Sequence, residues 1–322
     1  MTGRSEVLPA ISSHANRRIV IKGMAMTLLA ACSTGRTQNS WLVNVTEELS
    51  NLEVAARGRL GAYILDTQSG VGAGHRENEK FAHCSSFKMS LAAMILKMSE
   101  SGQADLSERL HWSSEDMLHV SPVTEANIDN GLTIEQLAHA TLVTSDNTAA
   151  NVLLKRFGGP QALTAFWASL GDQVSRLDRY EPALNDVPPG TELDTTSPLA
   201  MARTTAAIVH GNALRAQNKA KMRDWMTEVQ TGTQRIRAGF PPEWRSGDKT
   251  GTGIGPEKHT YVDIAFGIPP GRAPVIVTAY FEPAVLVEPM DPVALGVLAT
   301  VGKVTTRTIG GISKGPLKLE GV

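Results

Sequence analysis

The stretch "FAHCSSFKMS", residues 81–90, places two polar residues, Ser85 and Lys88, three positions apart just before an apolar run. A helix that begins here brings both side chains to one face, one turn apart. Two interpretations fit the pattern. Ser85 is either a capping serine followed by a solvated lysine, or a nucleophile whose base lies one turn away.

The size and composition of the chain are those of a globular protein. It has 322 residues, of which 42% are hydrophobic, enough for one large domain or two modest ones with their own cores. The formal net charge is −1 and aromatic residues make up 5%. These values argue against a nucleic-acid partner, because such proteins carry basic surfaces and aromatic side chains on which bases stack.

Helical and strand patterns occur in separate blocks. The apolar spacing predicts a helix over 42–56, mostly helix from Ser85 to about Gln217, and a C-terminal helix from Asp291-Pro292 to about Val301. Helix-start signals inside the helical block are Thr133 with Gln136, Ser145 or Asp146, and Ser197-Pro198. Strands are predicted at 59–66, 244–252, 261–268 and 274–281.

This order predicts an α/β (α+β) fold of two domains, in which an antiparallel sheet flanked by helices receives an all-helical insertion. The late strands follow one another through short turns, which favours antiparallel pairing. We expect the α/β domain at 41–76 and 228–315 and the all-helical domain at 84–227. The helical domain includes an irregular segment at 176–195, and a loop of this length is usually functional.

The first 31 residues are typical of an export signal. A basic segment that contains Arg17-Arg18 is followed by the short apolar run from Met24 to Ala31. The paired arginines resemble a twin-arginine signal. The residues Leu29-Ala30-Ala31-Cys32 also resemble a lipobox, so Cys32 is either a lipid-bearing N-terminus or an incidental cysteine after an ordinary cleavage site. We expect no disulfide between Cys32 and Cys84, the two cysteines of the sequence.

Two further motifs follow the serine–lysine pair in order. Ser145-Asp146-Asn147 comes first and Lys249-Thr250-Gly251 comes later. One S-x-x-K is expected by chance in a chain of about this size, but the three motifs together are typical of class A β-lactamases and penicillin-binding proteins. From about Leu42 to the C-terminal helix the sequence resembles a class A serine β-lactamase. Within the irregular segment, residues 179–185, "RYEPALN", match the Ω-loop of that family.

The resemblance implies a set of catalytic residues: Ser85, Lys88, Ser145 and Glu181. Ser85 would open the β-lactam ring, with the backbone N–H groups of Ser85 and Thr252 as the oxyanion hole. Ser145 would pass a proton to the ring nitrogen. Glu181 would activate the water that cleaves the acyl-enzyme. Whether Lys88 or Glu181 activates Ser85 is disputed for the family, and the sequence leaves both open.

The resemblance also implies a set of substrate-binding residues: Asn147, Asn185, Arg235, Lys249, Thr250, Gly251 and Thr252. Asn147 would meet the side-chain carbonyl of the substrate, and Asn185 would help to hold the water. Lys249 and Thr250 would bind the carboxylate, and Arg235 is either an arginine that assists this binding or a surface arginine. Gly251 would let the substrate approach the strand edge, which a side chain would block. An ion pair between Arg179 and Asp194 would pin the Ω-loop.

The implied function is hydrolysis of penicillins and cephalosporins, and hence β-lactam resistance. The alternatives are a D,D-peptidase-like acyl transferase and a β-lactam-sensing protein that stays acylated. The resemblance implies a monomer in the periplasm or at the cell envelope, whose partners are a β-lactam and water. It implies no nucleic acid, and a membrane contact only through a lipid on Cys32. No cofactor is expected, and no metal, because the eight histidines lack ligand spacing.

Two positions depart from the family pattern. Val120 stands where many members carry an aromatic residue that borders the substrate entrance. Cys84 precedes the nucleophile, as in carbapenem-hydrolysing members, but the position of its usual partner cysteine holds Gly253. The missing partner cysteine argues against carbapenem hydrolysis, whereas Thr252 and Arg235 favour a broader substrate spectrum, and the sequence leaves both open.

Overall fold

The computed structural model describes residues 31–188, 190–287 and 290–310. The predicted export signal lies outside these residues, apart from Ala31. The chain divides into two units, Met1–Ser40 and Trp41–Val322. In the first unit the structure describes the beginning of helix α1 (Ala31–Ala56), and the elements below belong to the second.

A five-stranded antiparallel sheet forms the centre of the second unit, in the order β2-β1-β9-β8-β7. Its strands are β1 (Gly58–Asp66), β2 (Val71–His75), β7 (Arg245–Ile254), β8 (His259–Ile268) and β9 (Val275–Pro283). Two-residue strands pair elsewhere: β3 (Phe81–Ala82) with β6 (Thr195–Thr196), and β4 (Arg109–Leu110) with β5 (Leu132–Thr133). The predicted antiparallel sheet and its four strands are confirmed, and β2 was not predicted.

The helices between β3 and β7 lie in and just after the block that was predicted to be mostly helical. They are α2 (Phe87–Glu100), α3 (Pro122–Glu125), α4 (Ile134–Val143), α5 (Asn147–Arg156), α6 (Gly159–Ser169), α7 (Pro198–Val209) and α8 (Ala216–Glu228), and α9 (Pro292–Gly310) follows the sheet. The helix starts follow local capping. Thr133 and Gln136 form a capping box, Asp146 accepts a hydrogen bond from the Ala149 N–H, and Ser197 accepts one from Ala200.

Two helix boundaries differ from the sequence prediction. Ser85 does not open α2, because residues Cys84–Ser86 form a 3₁₀ turn and the α-helix begins at Phe87. Cys84, the first residue of this turn, has a positive φ of 44°, which is uncommon for a residue other than glycine. At the other end of the chain, α9 continues beyond Val301 to Gly310.

Both faces of the sheet are covered, and the alternation along β1 shows how. Leu60 and Ile64 point into a cluster that also contains apolar residues of α1 and α9, whereas Tyr63 points into a second cluster formed with the helical block. The sheet is therefore the middle layer, and β7 forms one of its edges beside the turn that carries Ser85. Among the described helices, none combines the length and the apolar character that crossing a bilayer requires.

Candidate active site

The turn that carries Ser85 is fixed by its neighbours in the sequence. Ser86 donates two hydrogen bonds to the carbonyl oxygen of His83, from its N–H at 3.1 Å and from its Oγ at 2.7 Å. The His83 N–H in turn donates to the carbonyl oxygen of Asp194. Cys84 and Ser86 are both buried, and Ser85 lies between them with a partly exposed side chain. The hydroxyl of Ser85 is thus held by a rigid turn.

Lys88 contacts this hydroxyl and is fully buried. Its Nζ is 3.0 Å from Ser85 Oγ, 3.0 Å from Glu181 Oε1 and 2.8 Å from the carbonyl oxygen of Ser145, and it also donates to Asn147 Oδ1. Burial lowers the pKa of Lys88, while the negative charge of Glu181 opposes that shift. A lysine whose pKa is lowered loses its proton more readily and can accept one from a neighbouring hydroxyl.

Ser145 lies between two buried lysines. Its Oγ is 3.5 Å from Lys88 Nζ and accepts a hydrogen bond from Lys249 Nζ at 3.1 Å. The backbone of Ser145 is in the left-handed region, with a φ of 60°. Burial, reinforced by the positive charge of Lys88, lowers the pKa of Lys249 to about 7. The next residue, Asp146, is structural as expected, because its carboxylate caps α5.

Glu181 contacts both the Ser85 hydroxyl and Lys88. Ser85 Oγ donates to Glu181 Oε1 at 3.1 Å, and Asn185 Nδ2 donates to Glu181 Oε2 at 2.5 Å. The backbone of Glu181 is clamped by Asn151, whose side chain accepts from its N–H at 3.0 Å and donates to its carbonyl oxygen at 2.9 Å. The carboxylate of Glu181 is buried, and each of its two oxygens has a hydrogen-bond partner.

The irregular segment that carries Glu181 is pinned by an ion pair. Arg179 Nε donates to Asp194 Oδ2 at 2.6 Å, and Asp194 is fully buried. Asp194 Oδ1 also accepts the backbone N–H groups of Asp178 and Arg179. The predicted pairing is confirmed in its geometry. It closes the segment into a loop that contains, between its ends, only the 3₁₀ turn Ala183–Asn185 among its described residues.

Strand β7 packs against the turn that carries Ser85. Thr250 and Thr252 lie two residues apart and so point to the same face. Thr250 Oγ1 lies 2.7 Å from Thr231 Oγ1, and Lys249 Nζ donates to the Thr250 carbonyl oxygen. Arg235 is only 2% exposed. It donates to the carbonyl oxygens of Gly251 and Val262 and, at 2.7 Å, to Thr252 Oγ1. Arg235 therefore reaches the open side of the strand through the Thr252 hydroxyl, and not directly.

The structure assigns a different reason to the glycine at 251. A Cβ at Gly251 would lie 2.8 Å from the carbonyl oxygen of His83 and 3.0 Å from the Ser86 nitrogen. The side chain would collide with the backbone of the turn that carries Ser85, on the inner side of the strand. This packing requirement comes in addition to the predicted role of Gly251, that a side chain would block the substrate, which stays a prediction. Gly251 lets β7 pack directly against the nucleophile turn.

The predicted catalytic residues therefore form one connected group. Lys88 contacts Ser85, Ser145 and Glu181 in turn, and Lys249 extends the group to Thr250. The amide of Asn147 is engaged on both sides, by Lys88 and by the carbonyl oxygen of His119. A serine hydroxyl between a buried lysine and a buried carboxylate can be deprotonated for attack on an acyl group. Among residues 44–188, 190–287 and 290–309, no group of three metal-binding side chains is arranged to hold an ion.

The known proteins that are similar to this chain are β-lactamases. A family model described as the beta-lactamase enzyme family matches residues 44–309. The chain is 39% identical over 295 residues to beta-lactamase L2 of Stenotrophomonas maltophilia, covering 90% of this chain and 95% of that protein. It is 46% identical over 208 residues to beta-lactamase FAR-1 of Nocardia farcinica, covering 65% and 66%.

Solved structures agree with the sequence relatives. An ancestral (GNCA) class A beta-lactamase superposes with a TM-score of 0.78 at 43% identity, covering 82% of this chain and 99% of that one. The putative class A beta-lactamase PenP from Rhodopseudomonas palustris gives a TM-score of 0.78 at 41% identity, covering 84% and 100%. The chain belongs to the class A β-lactamases. It is therefore a hydrolase that acts on β-lactams, and the predicted fold and activity are confirmed.

Two contacts of this β-lactamase were missed by sequence reasoning. Asn151, which clamps Glu181, lies four residues after Asn147 on α5, and this spacing on one helix face was the available signal. Thr231 lies in an irregular turn with no pattern that points to Thr250. Of the two departures noted above, Val120 is half exposed with φ of 59°, and Cys84 is a free buried thiol whose pKa burial raises to about 12.

Proposed function

We propose that this β-lactamase opens the ring with Ser85 and releases the product with a water activated by Glu181. The observation that supports this most strongly is the 3.1 Å separation between Ser85 Oγ and Glu181 Oε1. An ester formed at Ser85 would place its carbonyl carbon next to the carboxylate, within reach of one shared water.

In the acylation step, Ser85 Oγ attacks the lactam carbonyl carbon and loses its proton to Lys88 or Glu181. Both stand in contact with the hydroxyl, at 3.0 and 3.1 Å, so either can serve as the base. The oxyanion would be held by the N–H groups of Ser85 and Thr252. Ser145, which lies between the two lysines, would return a proton to the ring nitrogen as the C–N bond breaks.

In the deacylation step, Glu181 takes a proton from water while the water oxygen attacks the ester carbonyl. Ser85 Oγ then leaves and is reprotonated, which regenerates the enzyme. Asn185, which donates to Glu181 Oε2, would also orient this water. A D,D-peptidase-like transferase or a β-lactam sensor does not need such a carboxylate, so the held position of Glu181 favours hydrolysis.

Substrate binding would use the charge and the hydroxyls along β7. The Lys249 ammonium and the Thr250 and Thr252 hydroxyls offer donors to the substrate carboxylate, and Arg235 supports Thr252 from behind. Asn147 would offer its amide to the acyl side chain after releasing the His119 carbonyl oxygen. We assign penicillins and cephalosporins as substrates.

The proposal extends to the organisation of the whole chain. The α/β domain would comprise 41–76 and 228–315, and the all-helical domain 84–227 with the Ω-loop 176–195. Residues 1–31 would direct export to the periplasm or the cell envelope, with Cys32 either lipidated or left after ordinary cleavage. The mature enzyme would be a monomer that acts without a cofactor and binds no nucleic acid.

A chromogenic cephalosporin assay tests the mechanism. We expect steady turnover by the wild type and by Glu192→Ala, since Glu192 lies on the same loop with its side chain 63% exposed. Glu181→Ala should give a burst of about one equivalent and then stop, because the acyl-enzyme has lost its base. Equal turnover in wild type and Glu181→Ala would remove Glu181 from the mechanism, and no turnover in the wild type would reject the assigned substrates.

A further inference from the structure

A short turn at residues 231–234 packs against the substrate-binding strand, and one glycine makes this contact possible. A Cβ at Gly232 would lie 1.2 Å from Asp248 Oδ2, on a side chain that is fully buried and paired with Arg237. Asp248 cannot move aside without giving up this pairing inside the protein. Glycine at 232 therefore lets the turn close on β7. The closure is completed by Arg235, whose N–H donates to the Gly232 carbonyl oxygen at 2.9 Å.

This turn and the residue that follows it supply a partner to each of the two threonine hydroxyls on β7. Arg235 Nη2 donates to Thr252 Oγ1 at 2.7 Å. An arginine has only donors, so Thr252 must accept, and its own proton stays available for another acceptor. Thr231 Oγ1 lies 2.7 Å from Thr250 Oγ1, and between two hydroxyls either can be the donor.

An anionic substrate removes this ambiguity. A carboxylate has only acceptors, so Thr250 can bind it only by donating its proton. Thr250 Oγ1 then has only acceptor capacity left for Thr231, and Thr231 must be the donor between them. The Lys249 ammonium, which donates to the Thr250 carbonyl oxygen and to Ser145 Oγ at 3.1 Å, supplies a positive charge for such an anion on the same strand.

We propose that Thr231 is a positioning residue for the substrate carboxylate: its hydroxyl donates to Thr250 Oγ1, so that the Thr250 proton points to the bound anion. This inference rests on the proposed function, since it concerns the substrate of that same site. Thr231 and Arg235 then act as a pair, because each turns one β7 hydroxyl outward. Thr231 itself is exposed at the rim of the site, so its replacement leaves the core packing intact.

The test compares isosteric variants on a penicillin and on its methyl ester, which keeps the ring and the acyl group but has no anionic carboxylate. Thr231→Val removes the hydroxyl at constant shape, and Thr231→Ser retains it. Thr233→Val is the matched control, because Thr233 is an exposed threonine of the same turn that donates only to the backbone oxygen of Gln230. Thermal unfolding of each variant verifies that the fold is unchanged.

For Thr231→Val we expect kcat/KM for the penicillin to fall about three- to tenfold, the worth of one oriented hydrogen bond. The loss should appear in KM, with kcat within twofold of wild type. Thr231→Ser and Thr233→Val should match the wild type, and on the methyl ester Thr231→Val should match it too. The proposal fails if Thr231→Val binds the penicillin like the wild type, or if it loses as much on the ester. Absence of wild-type turnover would instead reject the proposed function itself.

Discussion

His83 is a buried histidine two residues before the nucleophile, and it should make the enzyme labile in acid. Its ring stacks on Trp167 with centroids 4.7 Å apart and planes at 8°, and the residue is 0% exposed. Burial therefore disfavours the imidazolium and lowers the pKa of His83 to about 3, although the charge of Asp172 opposes the shift.

The sign and size of the effect follow from linkage. In the unfolded chain the imidazole has its ordinary pKa of about 6.5. Below that pH the unfolded state therefore binds a proton that the folded state does not bind. The stability contributed by the neutral ring is complete above pH 6.5 and is lost as the pH falls towards 3. The loss is about 1.4 kcal/mol per pH unit, which gives about 2 kcal/mol between pH 7 and pH 5 and about 5 kcal/mol in all.

Urea unfolding at pH 7 and pH 5 measures this contribution. We expect the free energy of unfolding of the wild type to fall by about 2 kcal/mol more than that of His83→Leu over this interval. Other titrating groups, including the buried Asp248, whose burial raises its pKa to about 6, affect both proteins alike and cancel in the difference. His111→Leu, at an exposed position, should keep the wild-type pH dependence. The same pH dependence in wild type and His83→Leu would refute the argument.

Two further predictions concern the substrate strand. Because burial and the charge of Lys88 lower the pKa of Lys249 to about 7, the free enzyme loses this ammonium above that pH, and kcat/KM for an anionic penicillin should fall by up to about tenfold per pH unit. Lys249→Arg keeps its charge, so its kcat/KM should stay constant between pH 7 and 9. An equal fall of kcat/KM in the variant would mean that another group causes it. Gly253→Cys, whose Cβ would lie 2.9 Å from Cys84 Sγ, should form a disulfide and stabilise the oxidised protein by about 2–4 kcal/mol. In a Cys32→Ser background, thiol labelling in denaturant should then find no thiol before reduction and two after it, and two thiols before reduction would contradict the prediction.

Elements with local signals were predictable from the sequence. The capping box of Thr133 and Gln136 and the Ser197-Pro198 start depend on side chains that bond to the backbone within one turn, so their signals are contiguous in the sequence. Strand β2 has no such signal. Its five residues, "VGAGH", include two glycines and show no alternation of polar and apolar side chains. It is a strand because it pairs along β1.

The identities of the catalytic residues were predictable, but several of their supports were not. Ser85 and Lys88 are recognisable because their motif recurs in order with two others. The contact of Thr231 with Thr250 joins residues 19 apart, and the clamp of Asn151 on Glu181 joins residues 30 apart. Such contacts depend on how whole elements pack, which periodicity does not encode.

The role of Gly251 illustrates the same limit. From the sequence, a glycine in a substrate-binding strand suggests room for the ligand. The structure shows a second requirement, because the His83 carbonyl oxygen would meet a side chain at 2.8 Å. A sequence fixes which residue lacks a side chain, but only the packed fold shows which neighbour requires its absence.

The most direct test of the central claim is the intact mass of Glu181→Ala during its reaction with a penicillin, followed by peptide mapping. We expect a covalent adduct of one intact penicillin on every molecule, located on Ser85 and lasting for hours, while the wild type shows only free enzyme once the substrate is consumed. A variant that returns to the free mass as fast as the wild type, or an adduct on any other residue, would contradict the account.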